Sequence, residues 1–134
     1  MAGADAVFVS GYPLLRPATV AAALAGTLLA NRDEAATLAG RPDSGVAGSR
    51  LAARVGTVVV KCGPEGVLVC VGDRPPVAVP APAVDVVDVT GAGDAFAAAF
   101  LAAGAGGADP VEAARAGTRL AAAAVTTRGA WPPP

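Results

Sequence analysis

The stretch Asp88-Val-Thr-Gly-Ala-Gly-Asp-Ala-Phe96 decides how the chain is read. An apolar, β-rich run from Val84 to Val89 leads into Thr90-Gly-Ala-Gly93, and an alanine-rich segment, Ala92 to Ala103, predicts a helix after it. Glycines at a strand-to-helix turn let a ligand approach the backbone, because no Cβ stands in the way. The first N–H groups of a helix have no intrahelical partner, which makes such a turn a ready anion site. Asp94 lies inside the turn, and a carboxylate beside a bound phosphate suggests phosphoryl transfer. The same spacing also suits an ordinary strand–glycine–helix connection with Asp as a cap.

The bulk composition narrows the alternatives. The 134 residues fit one domain, and 54% hydrophobic with 16% charged residues describes a globular chain. Much of the apolar content is alanine, so each helix brings little volume to a core. Net charge is −1, Lys61 is the only lysine, and no basic run is interleaved with aromatics, which argues against nucleic acid as a partner. Histidine is absent, excluding His-based triads and most zinc sites from these residues. The longest uncharged helical run, Pro17 to Ala30, is too short and too rich in small residues to span a bilayer. The N-terminus lacks the basic region of a signal peptide. Cys62 and Cys70 are expected as two buried free thiols. Together these features predict a soluble cytoplasmic chain with no membrane partner.

Taken in order, Ala6 to Ser10 predicts a buried strand and Pro17 to Ala25 a helix ended by Gly26. Thr27 to Ala30 is a helix end or a brief strand; Gly26 favours the strand. Asn31-Arg-Asp-Glu34 opens a helix that closes at Gly40, and Asn31 with Glu34 has the spacing of a capping box. A short helix is expected over Gly45 to Arg54. Gly56 to Cys62 and Val67 to Val71 bracket Gly63-Pro-Glu-Gly66 and predict a hairpin, with Cys62 facing Val67 and Cys70 facing Val59. Lys61 and Gly63 would then stand at a strand end, where α/β sheets make ligand contacts, or be a solvated charge and a plain turn. Val77 to Val79 predicts another short strand. Asp109-Pro110 starts a last helix running to about Ala124, before a frayed tail at 131–134.

In this order the motifs resemble the ribokinase-like, or PfkB, carbohydrate kinases. Val87 to Phe96 resembles that family's C-terminal signature, Asp5 to Tyr12 one of its strands, and Asn31-Arg-Asp-Glu34 its N-x-x-E motif. Val58 to Gly66 resembles its strand and G-x-x-G turn, and Arg128-Gly-Ala130 its final helix exit. The resemblance implies a Rossmann-type three-layer α/β/α fold, here its C-terminal portion: a partial, mostly parallel sheet with a hairpin and no lid. Residues 1–134 would be a partial kinase domain. It implies ATP-dependent phosphorylation of a sugar or nucleoside hydroxyl, with ATP and a small sugar or nucleoside as partners. Asp94 would accept the hydroxyl proton, and the N–H groups of Gly91, Ala92, Gly93 and Asp94 would form an anion hole. Lys61, Gly63 and Gly66 would line the nucleotide. Asn31 and Glu34 would organise Mg²⁺ through water, and Asp88 and Thr90 match positions that hold a monovalent cation such as K⁺ in some members.

The family's N-terminal half, with most substrate contacts and the β-lid, has no counterpart in the sequence. The interval Gly11 to Ala30 is also short by a helix–strand unit. A truncated homologue prone to self-association through exposed apolar faces and strand edges is therefore expected. The other readings are a non-catalytic nucleotide-binding remnant or interaction module of the family, and a dinucleotide-binding oxidoreductase. The last is weakened because Gly91-Ala-Gly-Asp94 comes late in the chain and lacks the third glycine.

Overall fold

The computed structural model describes residues 26–126. The predicted strand Ala6–Ser10, the helix Pro17–Ala25 and the Arg128–Ala130 motif lie outside the described residues. The elements are β1 (Thr27–Asn31), α1 (Arg32–Ala39), α2 (Ser44–Val55), β2 (Thr57–Lys61), a 3-10 turn (Gly63–Glu65), β3 (Val67–Val71), β4 (Val77–Val79), α3 (Ala92–Ala105) and α4 (Pro110–Val125). The strands form one open sheet in the order β1-β2-β3-β4, with β1 parallel and β3 antiparallel to β2. The brief strand at Thr27 is thus present, and α1 and α2 form the crossover between the two parallel strands. Contacts divide the chain into two compact units, whose described residues are 26–63 with 67–78, and 64–66 with 79–126.

In the first unit the period of two along each strand puts Leu28, Ala30, Val58, Val60 and Cys70 on one face of the sheet. Ala35, Ala39, Ala47, Ala52 and Val55 of α1 and α2 complete that core. Small residues on the helices allow close approach: a Cβ on Gly48 would stand 2.5 Å from Cys70 Sγ and 3.1 Å from Val60 Cγ2. Leu29, Val59 and Val69, of opposite parity, are buried too, as the uninterrupted apolar runs require. Asp43 caps α2 by accepting from Val46 N–H at 2.9 Å.

The hairpin register differs from the expected one by a residue. Lys61 pairs with Val67 and Val58 with Cys70, so Cys62 lies beyond the last pair. Gly63–Glu65 winds as a 3-10 turn, and Gly66 leaves it at φ 100°, which lengthens the connection to five residues. The thiols stay apart and free, but only Cys70 is buried; Cys62 is half-exposed. Burial pushes the Cys70 thiol above its ordinary 9.0, opposed by a hydrogen bond with Ser49 and reinforced slightly by Cys62.

The second unit is built on α3 and α4. Asp109 caps α4 by accepting from Glu112 N–H at 2.9 Å, with Pro110 in the first turn. Phe96 and Phe100, one turn apart on α3, are buried with ring centroids 5.9 Å apart. Phe96 lies against Gly117 of α4, where a Cβ would come within 2.6 Å of the ring. Gly66, in the same unit, packs so tightly that a Cβ would meet Val79 O and stand 2.7 Å from Ala81 N.

The expected strand leading into the glycine turn is absent: residues 80–89 belong to no strand. Val87 and Asp88 instead donate their N–H groups to Val125 O, at 2.7 and 3.1 Å. A β-rich composition makes a strand only where a neighbouring edge offers a ladder. Here, among the described residues, a single helix-terminal carbonyl takes both bonds. Val84, Val86, Val87 and Val89 are left 39%, 59%, 57% and 71% exposed.

Candidate functional site

The glycine turn is organised by its own backbone. Asp88 Oδ1 accepts Thr90 N–H at 2.8 Å, a local turn that bends the chain before the helix. Gly91 follows at φ 81°, in the left-handed region where side-chain-bearing residues are strained, and serves as N-cap without any side-chain cap. The first helical bond runs from Ala95 N–H to Gly91 O at 2.9 Å. Ala92 N–H points back to Val89 O at 3.2 Å. Among the described residues the N–H groups of Gly91, Gly93 and Asp94 have no backbone acceptor. Of the four N–H groups expected from sequence to form an anion hole, that of Ala92 is thus already bonded to Val89 O, and the other three are not bonded to a backbone acceptor among the described residues.

Asp94 is the third residue of α3; it is exposed and accepts no hydrogen bond among the described residues. Its carboxylate stands in the first turn of a 14-residue helix, beside the backbone donors of that turn. The arrangement can therefore hold an anion at backbone donors and present a proton acceptor next to it.

In the first unit a second group of the expected residues gathers at one end of the sheet. Parallel pairing sets Asn31 beside Lys61, so the carboxyl ends of β1 and β2 coincide. Ligands of open α/β sheets are bound outside those ends. Gly63 follows at φ 62°. Asn31 and Glu34 form the full capping box: Asn31 Oδ1 accepts Glu34 N–H, and Glu34 Oε1 accepts Asn31 N–H, both at 2.8 Å. The bond pattern occupies only one carboxylate oxygen. Glu34 Oε2 is buried without a hydrogen-bond partner, alone in this respect among the described side chains. An ionised oxygen in that position is costly unless something cationic or hydrogen-bonding meets it.

Two features escaped the sequence reading. Arg32 Nη2 donates to Cys62 O at 3.4 Å, which brings a guanidinium to the same sheet end. Its place between the capping Asn and Glu was the available signal. Gly66 has a structural reason of its own, the close approach of Val79 and Ala81, that its sequence context did not reveal. Among the described residues no three acidic or thiol side chains converge as a metal cluster, and no helix is long and apolar enough to cross a membrane.

Comparison with known proteins agrees with this geometry. Residues 8–134 match the pfkB family carbohydrate kinase model. The fold is similar to ribokinase from Thermotoga maritima, at TM-score 0.80 and 31% identity over 93% of this chain and 44% of that one. It is similar to Arabidopsis thaliana ribokinase complexed with ribose and ATP, at TM-score 0.80 and 28% identity over 93% of this chain and 43% of that one. Adenosine kinase from Sinorhizobium meliloti is similar at TM-score 0.73 and 34% identity over 79% of this chain and 32% of that one. No curated protein sequence matches. The chain thus spans less than half the length of these solved relatives. With the glycine turn, the capping-box carboxylate and the sheet order in place, and a family match over nearly all its residues, the chain belongs to the pfkB family of carbohydrate kinases.

Proposed function

We propose that the chain carries the nucleotide and catalytic portion of a kinase that transfers the γ-phosphoryl group of ATP to a hydroxyl of a sugar or nucleoside. The observation that carries this reading is Asp94: exposed and, among the described residues, without a hydrogen bond and in the same helical turn as backbone N–H groups that have no acceptor. In the step proposed, the substrate hydroxyl oxygen bonds to the γ-phosphorus as the bond to the β–γ bridging oxygen breaks. The hydroxyl proton passes to an Asp94 carboxylate oxygen and ADP departs. Such a loose transition state asks for positioning and charge stabilisation more than for a strong base. Each donor among Gly91, Gly93 and Asp94 to a charged phosphate oxygen would contribute about 1.5–3 kcal/mol. Lys61 and Gly63 are assigned to the nucleotide, at the strand end where such contacts are made; Gly66 is assigned with them as a turn residue.

The residues fit Mg²⁺. Glu34 Oε2, buried and without a partner among the described residues, is a hard anionic donor of the kind that meets a hydrated magnesium ion, and the Asn31 backbone N–H holds its carboxylate in place. Magnesium of this type keeps most of its waters and binds through one or two carboxylates and the phosphates, so no dedicated cluster is needed. Bound there it would neutralise phosphate charge. Asp88 and Thr90 offer oxygen donors suited to K⁺, and the Asp88 carboxylate already orders that turn.

The test is titration of the chain with MgATP, then coupled ADP release against a panel of sugars and nucleosides. Turnover that Asp94→Asn abolishes while MgATP affinity is kept supports the assignment. Binding of MgATP without turnover on any substrate refutes catalysis by this chain, and absence of nucleotide binding refutes the whole reading.

A further inference from the structure

The residue that follows the capping Asn is a cation in an unfavourable place. Arg32 is the first residue of the helix Arg32–Ala39, at the end where the helix dipole is positive and anions are preferred. Nothing in the helix calls for a cation there, and a residue that runs against local preference is expected where function sets the choice. We propose that Arg32 binds the polyphosphate of the nucleotide, as a second cation beside Lys61, and makes the chain favour nucleotides with two or three phosphates over a monophosphate. The inference deepens the nucleotide reading given above and rests on it.

Three observations support this. The exposed Arg32 side chain reaches across the sheet end: its Nη2 donates to Cys62 O at 3.4 Å. Cys62 stands between Lys61 and Gly63, the two residues assigned to the nucleotide, so the guanidinium is carried from the end of β1 to the end of β2. Parallel pairing then sets Asn31 beside Lys61, one strand spacing of about 4.8 Å away. Two cationic side chains therefore start from neighbouring positions outside the carboxyl ends of the strands, where open α/β sheets bind ligands. Like charges gathered there repel one another, and a bound polyanion turns that cost into attraction. The third observation is Glu34, two positions on, whose second oxygen is buried without a partner among the described residues and is the atom assigned to magnesium. A neighbour of that carboxylate belongs with the phosphates that share the ion, and AMP lacks the outer two. Arginine suits the task. Its planar fork of N–H donors can hold a carbonyl and a phosphate oxygen at once, and charge-assisted bonds of this kind are about twice as strong as neutral ones.

The experiment is calorimetric titration with ATP, ADP and AMP, at one fixed magnesium concentration, of the wild-type chain, Arg32→Gln and Arg32→Lys. Arg32→Gln should weaken ATP and ADP by roughly tenfold or more, the scale of one charge-assisted hydrogen bond, and AMP by less than about twofold. Arg32→Lys keeps the charge without the fork and should recover part of the loss. Thermal unfolding without nucleotide should show Arg32→Gln as stable as the wild type or more so, because a cation has left the helix start. That readout separates lost binding from lost folding. Three results overturn the proposal: ATP affinity unchanged in Arg32→Gln, a loss for AMP equal to that for ATP, or a loss accompanied by a fall in Tm. An equal loss for AMP would mean that Arg32 acts only by holding the Cys62 carbonyl. A wild-type chain that binds none of the three nucleotides overturns the kinase reading and this inference together, whereas ATP binding that Arg32→Gln leaves intact overturns this inference alone.

Discussion

Replacing Gly117 by alanine should weaken the protein, although the same change in an ordinary helix would strengthen it. Gly117 lies within the helix Pro110–Val125, where alanine is favoured over glycine by about 0.8–1 kcal/mol. Against this, the new Cβ would stand 2.6, 2.7 and 3.0 Å from three carbons of the Phe96 ring. Contacts that short force the ring or the helix to move, and an extra methyl group in a packed core costs about 1–3 kcal/mol. Phe96 is 3% exposed and stacked on Phe100, so the ring has little room to yield. The packing cost wins, and the net loss is about 1 kcal/mol, or a fall of roughly 4 °C in Tm for a chain of this size. Urea unfolding followed by circular dichroism measures it. The decisive arm is a double-mutant cycle with Phe96→Leu, which removes the ring atoms involved. On that background Gly117→Ala should be neutral or stabilising, giving a coupling of about 1–2 kcal/mol. Equal effects on both backgrounds, or a gain of stability in the otherwise native chain, would refute the packing argument. The outcome bears on function because Phe96 follows Asp94 by two residues on the same helix.

Asp94→Asn should lower kcat by about 10²–10⁴-fold if Asp94 is the proton acceptor, with MgATP affinity unchanged in a binding titration. Glu34→Gln keeps an amide oxygen for the Asn31 N–H but removes the charge from the buried second oxygen. The magnesium concentration needed for half-maximal nucleotide binding should rise, while thermal stability without magnesium stays the same or increases. Gly48→Ala should cost about 1–3 kcal/mol through Cys70 Sγ, and Cys70→Ala should relieve most of that in an unfolding series. Burial raises the Cys70 thiol above 9.0, so the unfolded chain ionises first. The stability contribution of the neutral thiol is then complete below pH 9.0 and declines above it, and Cys70→Ala should flatten that part of the pH profile.

Legibility in the sequence followed the range of the interaction that decides each element. Asn31 and Asp109 are caps whose partners lie three residues away, and those two helix starts were readable from local residues; Asp43 caps its helix in the same way, but that helix was expected only from Gly45. The glycine turn was readable for the same reason, since Gly91 and Asp94 act within one turn of backbone. Val84 to Val89 was misread because strand formation depends on a neighbour elsewhere in the chain, and β-branched composition is silent about that neighbour. The hairpin register slipped because the connection takes in Cys62 as well as Gly63 to Gly66, a count set by backbone geometry. Ala92 was assigned as an anion donor from its place beside two glycines; its actual acceptor, Val89 O, depends on how the turn closes. The buried Glu34 oxygen was unreadable, because burial of one atom of a carboxylate is a property of packing.

The capping box has one more effect. A glutamate side chain free in solution samples many rotamers, and fixing it costs up to about 1.5–2 kcal/mol of entropy. Through its bond from Asn31 N–H, Glu34 undergoes that restriction when the helix forms. A cation arriving at the second oxygen then meets a donor whose direction is already set. Asn31→Ala keeps the backbone N–H that holds the carboxylate and removes the reciprocal bond from Glu34 N–H to Asn31 Oδ1, so the proposed magnesium binding should weaken only as far as the helix start frays.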